Sequence, residues 1–418
     1  MAKILVKKSN PLVGNVKIDG AKNAVLPIIA ATLLADGKSV LKGVPNLKDV
    51  HVISDLLRHL GAKVEYKDCT LTVDASEIKT CEAPYELVRK MRASFLVMGP
   101  LLARFNQTKI SMPGGCAIGT RPIDLHLKGF KALGANVIID HGFVEANTEK
   151  LVGSKLYLDF PSVGATENII MASVLAKGTT IIENAADEPE IWDLINFLNK
   201  MGADIYGGGA RKIIIKGVQN LHGITHQPIY DRIEAGTFMV AAAITNSMIK
   251  INDVNEEHLM PIIEKLKECG VVVTEEENGI IVDGRYDKST ADIKTLPHPG
   301  FPTDMQPQFM ALMSMAEGTG IINETIFENR FMHISELGLM GANIKIEGSS
   351  AIINGVDKIT GAKVKATDLR AGAALIIAGL SAEGTSEISD IYHIERGYYK
   401  IEEKLKSIGA QIKKIKTT

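Results

Sequence analysis

One cysteine of this 418-residue chain lies in a loop whose composition suits a reactive thiol. Cys116 follows Pro113-Gly114-Gly115 and precedes Gly119, and Arg121 comes five residues later. Glycine lets the backbone approach a ligand closely, and nearby positive charge favours the thiolate, which is the reactive form of cysteine. A structural cysteine would usually lie in an apolar helix or strand. The pattern favours a reactive thiol at Cys116, with a structural cysteine as the alternative.

Charged and polar residues recur where apolar segments of the chain begin. Helix N-termini attract anions through their free N–H groups and the helix dipole, so cations at these places indicate an anionic ligand. For any single residue, a surface salt bridge is the alternative. The residues at these starts are Lys22, Asn23, Arg92, Arg232, Asp304, Asp368 and Arg370, and Arg121, Arg330 and Arg396 lie in loops after the following strands.

A short phrase that contains glycine recurs six times and divides the chain into repeats. Its glycines are 68 to 73 residues apart, at Gly61, Gly134, Gly202, Gly270, Gly341 and Gly409. Each glycine would end an amphipathic helix, where this residue is preferred. Each repeat also contains an almost wholly apolar helix, which must be buried. These six buried helices are predicted over 24–35, 95–103, 169–176, 238–244, 309–316 and 373–380.

The elements of each repeat follow the order βαβαββ, with paired strands such as 63–66 with 70–73 and 271–274 with 279–282. Three repeats can enclose one core of buried helices, so six repeats predict two similar domains. We expect the first domain over 21–229 and the second over 1–20 and 230–418. The alternating N-terminal residues would pair with the last repeat. The two chain crossings would leave a cleft between the domains.

The composition argues against several classes of protein. The net charge is −2, from 47 Lys and Arg against 49 Asp and Glu, so no overall field favours nucleic acid or an anionic membrane. The apolar runs reach about a dozen residues, whereas a membrane span needs about 18. The four cysteines have neither zinc nor disulfide spacing. We therefore expect a cytoplasmic protein without a signal peptide, a metal, or a membrane or nucleic-acid partner, and its oligomeric state stays open.

The chain resembles the enolpyruvyl transferases over essentially its whole length. The cysteine loop is the most specific match, because shikimate-pathway relatives of the same fold lack it. The resemblance implies an α/β fold, a two-domain inside-out α/β barrel of six repeats with the active site in the interdomain cleft. The matching segments are Gly20–Ala24, Arg89–Ser94, the cysteine loop through His126, Ser162–Asn168, Phe301–Gln306, Glu328–Phe331, Asp368–Gly372 and His393–Tyr398.

The resemblance also implies a reaction. The enolpyruvyl group of phosphoenolpyruvate would move to the 3-hydroxyl of UDP-N-acetylglucosamine, with release of phosphate, in the first committed step of peptidoglycan synthesis. Addition and elimination would pass through a tetrahedral intermediate, without a cofactor or a metal. Cys116 would donate a proton to the alkene and could form a covalent adduct with phosphoenolpyruvate, and alkylating epoxides such as fosfomycin would modify its sulfur. Asp304 would take the proton of the sugar hydroxyl.

The remaining site residues are also implied by the resemblance. Arginine suits the phosphate and carboxylate of phosphoenolpyruvate through its planar fork, and lysine acts as a point charge. Where some relatives carry a lysine, this chain has Phe160-Pro161, so a contact to the nucleotide is expected to be missing. The implied catalytic residues are Cys116, Asp304, Lys22, Arg396 and Asn23. The implied substrate-binding residues are Lys22, Asn23, Arg92, Arg121, Pro122, Ile123, Asp124, Leu125, Ser162, Val163, Gly164, Asp304, Ile326, Arg330, Asp368, Arg370 and Arg396.

Three other functions compete with this interpretation. An enolpyruvyl transferase acting on shikimate phosphate is the nearest, and the cysteine loop argues against it. A non-catalytic relative that binds the UDP-sugar would not be expected to keep Cys116, Asp304, Lys22 and Arg396 together. A sixfold-repeat DNA clamp would line its hole with basic helices, whereas the helices here are apolar. Strongly salt-dependent DNA binding would favour the clamp.

Overall fold

The structure, a computed structural model, describes residues 2–113, 118–119, 122–207 and 211–416. These residues form two compact units. The 20–229 unit comprises the described residues of Gly20–Cys116 and Arg121–Ile229. The 230–418 unit comprises those of Met1–Asp19, Ala117–Thr120 and Tyr230–Thr418. In the described part of the chain, no helix has the length and apolar character that crossing a membrane requires.

The strands of both units are short, from two to six residues. They are β1 (Ala2–Lys7), β2 (Val13–Lys17), β3 (Lys38–Lys42), β4 (Lys63–Lys67), β5 (Thr70–Asp74), β6 (Glu82–Ala83), β7 (Gln107–Ser111), β8 (Asn136–Asp140), β9 (Phe143–Asn147), β10 (Lys155–Tyr157), β11 (Thr179–Glu183), β12 (Asp204–Gly207), β13 (Ile213–Lys216), β14 (Thr225–His226), β15 (Met248–Asn252), β16 (Val272–Glu276), β17 (Gly279–Asp283), β18 (Ile293–Lys294), β19 (Thr319–Asn323), β20 (Asn343–Glu347), β21 (Ser350–Asn354), β22 (Lys363–Lys365), β23 (Thr385–Ser389) and β24 (Ile412–Lys416).

The helices range from four to 13 residues. They are α1 (Lys22–Ala31), α2 (Lys48–Leu60), α3 (Tyr85–Val88), α4 (Met98–Phe105), α5 (Asp124–Ala132), α6 (Val163–Ser173), α7 (Pro189–Lys200), α8 (Arg232–Ile244), α9 (Met260–Glu268), α10 (Gln306–Met313), α11 (Ile334–Leu339), α12 (Leu369–Ser381) and α13 (Ile401–Ser407). Short 3₁₀ turns cover Thr32–Leu34, Arg92–Val97, Glu256–His258, Thr303–Met305 and Ile394–Arg396.

The described strands form four-stranded sheets, three in each unit, that share one strand order. In the sheet β6-β7-β9-β8, the edge strand β6 runs parallel to β7, and β7, β9 and β8 pair antiparallel. This is the βαβαββ repeat, and with it the predicted α/β fold is confirmed. Three sheets take a strand from a distant segment: β14 pairs with β3, β2 pairs with β15, and β1 lies between β23 and β24.

The apolar helices form the core of each unit, as the sequence predicts. In the 230–418 unit, α8, α10 and α12 pack against one another, and in the 20–229 unit α4 packs against α6. Their side chains are removed from water on every face; Leu375 and Ile376 of α12, for example, are fully buried. Each such side chain contributes about 1.5–3 kcal/mol to folding.

Several buried helices begin earlier than their apolar residues indicate. Helix α8 begins at Arg232, and α12 at Leu369, because Asp231 and Asp368 accept hydrogen bonds from the first free backbone N–H groups. In two other repeats the helix is preceded by a 3₁₀ turn, at Arg92–Val97 and Thr303–Met305. The starts of the buried helices, where the predicted site residues cluster, are therefore built from polar residues that belong to the helices themselves.

The repeated glycines end the amphipathic helices α2, α5, α7, α9, α11 and α13. All six have positive φ values, between 83° and 114°, which suit glycine and strain other residues. The residue after each glycine donates its N–H to the carbonyl five positions back, as Ala62 does to Leu57 and Ala410 to Leu405, both at 3.0 Å. This is the Schellman arrangement. The repeated phrase in the sequence is therefore a helix stop signal.

Candidate functional site

A carboxylate held between two buried arginines lies at the start of α10 in the 230–418 unit. Asp304 belongs to the 3₁₀ turn Thr303–Met305, and its Oδ1 lies 2.8 Å from Arg330 Nη2 in an ion pair. Arg370, at the start of α12, places Nη2 at 2.9 Å and Nε at 3.2 Å from Oδ2. The arginine side chains are 2% and 1% exposed, whereas Asp304 is 25% exposed. The structure thus brings together three residues predicted from separate segments.

The two arginines decide the charge of Asp304. Burial alone would raise the pKa of this carboxyl, because burial disfavours the charged form, but the charges and hydrogen bonds of Arg370 and Arg330 hold its pKa well below the usual range. Asp304 is therefore ionised at neutral pH. It is a good hydrogen-bond acceptor and a weak base.

A polar network among the buried helices supports Arg370. Its guanidinium carbon lies 5.3 Å from the ring centroid of Tyr398. The Tyr398 hydroxyl is 3.0 Å from Thr237 Oγ1 of α8, and Gln308 of α10 donates Nε2 to both oxygens at 3.2 Å. Buried polar groups of this kind are costly unless they bond to each other, and when satisfied they fix one arrangement. The network therefore holds Arg370 in place relative to α8 and α10.

The other predicted residues of this unit surround the same helix starts. Asp368 caps α12 by accepting from Arg370 N at 2.8 Å and from Ala371 N at 3.1 Å. Burial lowers the pKa of the neighbouring His333 to about 4, although the Asp368 charge raises it. Arg396 is half-buried in the 3₁₀ turn Ile394–Arg396.

Lys22, at the start of α1 in the 20–229 unit, forms a buried ion pair. Its Nζ lies 2.7 Å from Oδ2 of Asp49 in the first turn of α2, and the two side chains are 10% and 2% exposed. The neighbouring Asn23 is exposed. The argument that a cation at a helix start needs a ligand is therefore weaker for Lys22, since Asp49 balances its charge and fixes its position.

The N-termini of α5 and α6 lie side by side in the same unit. Helix α5 begins at Asp124, with Ile123 buried just before it and Pro122 exposed, and Leu125 is half-buried in its first turn. Helix α6 begins at Val163, and its preceding residue Ser162 accepts from Ala165 N at 3.4 Å. The predicted segments 122–125 and 162–164 thus meet at two helix starts that suit anions.

His126 connects these helix starts to Arg92. A Cβ added at Gly164 would lie 3.4 Å from His126 Cε1, and Asn168 Nδ2 is 3.1 Å from His126 Nδ1. Burial, with a contribution from the Arg92 charge, lowers the pKa of His126 to about 3. The ring is therefore neutral, and with Nδ1 accepting from Asn168 its proton resides on Nε2.

Two predicted residues, Cys116 and Arg121, lie outside the described residues. Nearby, Ile118 and Gly119 belong to the 230–418 unit, and Ile118 O accepts from Asn329 N at 3.1 Å, one residue before Arg330. Gly119 has φ 149°, and a Cβ there would lie 2.5 Å from a carboxylate oxygen of Glu328. The Glu328 carboxylate can shift, so it is the positive φ that favours glycine at position 119. Within the described ranges, no group of three or more His, Cys, Asp or Glu side chains is arranged to hold a metal ion.

Comparison with known proteins identifies the family. The family described as EPSP synthase (3-phosphoshikimate 1-carboxyvinyltransferase) matches residues 6–405. The chain belongs to the enolpyruvyl transferase family. Among curated enolpyruvyl transferases, it is 62% identical to "UDP-N-acetylglucosamine 1-carboxyvinyltransferase 1" of Caldanaerobacter subterraneus subsp. tengcongensis over 98% of this chain and 99% of the relative. It is 60% identical to the protein of the same name from Clostridium acetobutylicum, over 99% of this chain and 100% of that one.

Solved enolpyruvyl transferases share the fold. The structure of the enolpyruvyl transferase NikO from Streptomyces tendae matches 100% of this chain and 99% of its own, with a TM-score of 0.89 and 24% identity. EPSP synthase from Acinetobacter baumannii matches 100% of both chains, with a TM-score of 0.78 and 20% identity. At these identities the likeness shows the fold, in agreement with the six repeated sheets.

The sequence contained signals for several site neighbours that were not predicted. Asp49 falls in register with Ile53, Leu57 and Leu60 on the buried face of α2, so it needed a partner. Glu324 follows Gly320 and Ile322 in the inward phase of β19. His126 lies inside a matched segment. A charged side chain in the buried phase of an element is the signal that would have found the first two.

Proposed function

We propose that this chain is a UDP-N-acetylglucosamine 1-carboxyvinyltransferase. It transfers the enolpyruvyl group of phosphoenolpyruvate to the 3-hydroxyl of UDP-N-acetylglucosamine and releases phosphate. The observation that carries this proposal is the 62% and 60% identity, over nearly the full length of each chain, to relatives that bear this name. The matched family itself is described as 3-phosphoshikimate 1-carboxyvinyltransferase, so shikimate 3-phosphate is the competing acceptor.

The cations proposed to bind phosphoenolpyruvate are Lys22, Arg92, Arg121 and Arg396. Phosphoenolpyruvate carries a phosphate and a carboxylate, and guanidinium forks and a lysine point charge suit both. The Lys22–Asp49 pair, at 2.7 Å, supports this role because it presets the position of the ammonium group.

The proposed chemistry begins with protonation of the alkene. The Cys116 thiol gives its proton to the methylene carbon of phosphoenolpyruvate, and the adjacent carbon becomes electrophilic. The sugar 3-hydroxyl oxygen then bonds to that carbon. The Cys116 thiolate then takes back a proton from the methyl group while the bond from carbon to the phosphate oxygen breaks, which releases phosphate and regenerates the alkene as the enolpyruvyl ether. A covalent adduct of Cys116 with phosphoenolpyruvate is a further proposed species.

Asp304 fits the role of acceptor for the sugar hydroxyl proton. The low pKa imposed by Arg330 and Arg370 makes this carboxylate a poor base toward an ordinary alcohol. As the hydroxyl oxygen bonds to the electrophilic carbon, however, its proton becomes strongly acidic, and a weak base is then sufficient. The proposal therefore places proton transfer to Asp304 with or after C–O bond formation. Asn23 and Arg330 are proposed to orient the intermediate.

The nucleotide sugar is proposed to bind at the N-termini of α5 and α6. Pro122, Ile123, Asp124 and Leu125 line one start, and Ser162–Gly164 line the other. Ile326 and Arg121 complete the proposed contacts to the nucleotide sugar. Asp368 and Arg370 are proposed to support the residues that orient the intermediate, or to contact it when the site closes. The exposed Phe160 follows Asp159, which pairs with Lys128 at 2.7 Å, and this part of the surface would receive the uracil without the lysine of some relatives.

We further propose that the enzyme works in the cytoplasm on these two small molecules, without a resident cofactor, and that nucleic acid and membrane are not its partners. Membership of the enolpyruvyl transferase family favours this over the DNA clamp. A non-catalytic relative would bind the UDP-sugar and release no phosphate, so an assay of phosphate release distinguishes it from the enzyme.

The test is phosphate release from phosphoenolpyruvate with UDP-N-acetylglucosamine, with shikimate 3-phosphate, or with no acceptor. Release is expected only with the nucleotide sugar, and Cys116→Ala is expected to abolish it. Cys69→Ala, at an exposed cysteine, is the matched control and should behave as the wild type. Release with shikimate 3-phosphate alone would assign the other acceptor. Sugar-independent release, or full activity of Cys116→Ala, would contradict the proposed mechanism.

A further inference from the structure

A buried glutamate next to the Asp304 site has no role in the mechanism described above. Glu324 directly follows β19, and its N–H donates to Ser349 O at 2.9 Å, which extends the sheet by one residue. The inward phase of the strand leaves the residue only 4% exposed. A glutamate is rarely buried to this degree unless its carboxylate is fully engaged. The hydrogen-bond donors around the Glu324 carboxylate therefore indicate which parts of the structure it fixes.

Four donors converge on the Glu324 carboxylate. Oε1 accepts from Thr295 Oγ1 at 2.8 Å, from Ile326 N at 2.9 Å and from Phe327 N at 3.2 Å. Oε2 accepts from Thr303 Oγ1 at 2.8 Å. Hydrogen bonds to a charged acceptor are about twice as strong as neutral ones. The carboxylate thus fixes both the 324–327 turn, which carries Ile326, and the residue just before Asp304.

The Thr303 hydroxyl links the Glu324 carboxylate to the Arg330 guanidinium. A hydroxyl has one proton to donate, and here it goes to Glu324, so its oxygen accepts Arg330 Nη1 at 3.2 Å. The other terminal nitrogen of the same guanidinium, Nη2, holds Asp304 at 2.8 Å. A continuous chain of hydrogen bonds therefore runs from Glu324 through Thr303 and Arg330 to Asp304.

We propose that Glu324 is a positioning residue for enolpyruvyl transfer, acting through Thr303 on the Arg330 fork and through its backbone contacts on Ile326. It fixes two elements: the Arg330 guanidinium, which orients the Asp304 carboxylate, and the 324–327 turn, which is assigned to the nucleotide sugar. The inference rests on the proposed function, because that function makes Asp304, Arg330 and Ile326 substrate contacts. Glu324 itself touches no substrate.

Substitutions at two positions, Glu324 and Thr303, separate positioning from simple structural support. Glu324→Gln keeps an oxygen for the three donors on Oε1 but places an NH₂ group toward Thr303. The Thr303 hydroxyl must then accept a hydrogen bond from the amide, and this amide competes with Arg330 for the lone pairs of the hydroxyl oxygen. Thr303→Val removes the hydroxyl at nearly constant shape, and Thr303→Ser restores it. Glu347→Gln, at an exposed residue paired with Lys345, is the matched control.

We expect Glu324→Gln and Thr303→Val to lower kcat roughly tenfold to a hundredfold, since small misplacements at a reacting centre have effects of this size. KM for phosphoenolpyruvate should stay near the wild-type value, because Lys22 and Arg396 are untouched. KM for the nucleotide sugar should also change little, because the oxygen that remains in Glu324→Gln still accepts from Ile326 N. Thr303→Ser should recover most of the activity. Melting temperatures of Glu324→Gln and Thr303→Ser should lie close to that of the wild type, and Glu347→Gln should match it in every assay.

The proposal is overturned if Glu324→Gln and Thr303→Val keep the wild-type kcat, or if Thr303→Ser fails as badly as Thr303→Val. Loss of activity that merely follows melting temperature would also overturn it. If the wild type releases no phosphate, the proposed function fails, and crystal structures of Glu324→Gln and Thr303→Val then decide this inference separately. Displacement of Arg330 from Asp304 supports it, and an unchanged Arg330 contradicts it.

Discussion

The Asp304–Arg370 pair gives the sharpest prediction about stability. Asp304→Asn keeps the shape of the side chain and removes its charge, which leaves Arg370 and Arg330 buried without their carboxylate. Both arginines are at most 2% exposed, so water cannot replace the lost partner. The contact with Arg370 uses two nitrogens, at 2.9 and 3.2 Å. Removing one partner of such a pair is costly because the other charge stays buried.

The expected loss follows from this geometry. Breaking a buried pair from one side costs about 3–5 kcal/mol, and we take about 3 kcal/mol because Asp304 retains some exposure to water. In a unit of this size, that corresponds to a fall in melting temperature of roughly 6–12 °C. Arg370→Leu should cost a similar amount. The double variant should be less destabilised than the sum of the two, with a coupling free energy of about 1.5 kcal/mol or more.

Calorimetric melting of the wild type, both single variants and the double variant completes the cycle. Trp192, the sole tryptophan of the chain, lies in the 20–229 unit, so its fluorescence follows that unit while calorimetry follows both. Glu347→Gln, at a pair whose side chains are more than half exposed, should change stability by no more than about 0.5 kcal/mol. A coupling free energy near zero, or a melting temperature of Asp304→Asn equal to that of the wild type, would refute the description of a single buried network.

Three further predictions concern other parts of the chain. Asp49→Ala should lower the free energy of unfolding by about 3 kcal/mol, because it removes the carboxylate that lies 2.7 Å from the buried Lys22 ammonium. Lys22→Met should partly restore stability in the double variant, and urea unfolding measures both changes. Gly61→Ala should lower the free energy of unfolding more than Gly409→Ala. Both glycines have positive φ, but only at Gly61 would a Cβ meet the backbone, 2.7 Å from Glu77 O. Equal losses of stability in the two variants would contradict this prediction. Burial lowers the pKa of His126 from 6.5 to about 3, so between these pH values the unfolded state binds a proton that the folded state does not. The contribution of His126 to stability is therefore full above pH 6.5, and the free energy of unfolding falls by up to about 1.4 kcal/mol per pH unit below it. His126→Phe should flatten this slope between pH 6.5 and 4, as measured by unfolding titrations.

Much of the fold could be predicted because the sequence of each repeat marks where its helices end and which of its strands pair. The glycine phrase marks the end of an amphipathic helix six times, and the structure gives a positive φ at every one of these glycines. The strand pair predicted at 63–66 with 70–73 lies within β4–β5, and the pair predicted at 271–274 with 279–282 matches β16–β17, except that β16 begins at Val272. The helix starts were harder, because their polar caps, such as Asp231 and Asp368, do not follow the apolar pattern.

The site was harder to predict than the fold because its contacts join distant segments. Sequence patterns suggested Asp304, Arg330 and Arg370 one at a time, and only folding shows that the two guanidiniums hold the same carboxylate. The pairing of Lys22 with Asp49 likewise depends on how α2 packs against α1. Local periodicity can show that a charge is buried, but it cannot show which residue balances it.

The central claim is tested most directly by analysing the product. Purified enzyme is incubated with phosphoenolpyruvate and UDP-N-acetylglucosamine, and the nucleotide sugar is examined by mass spectrometry and NMR. We expect one enolpyruvyl group on the 3-oxygen of the sugar and an equal amount of free phosphate, with neither formed by Cys116→Ala. An unmodified nucleotide sugar, or an enolpyruvyl group formed on shikimate 3-phosphate instead, would contradict this account.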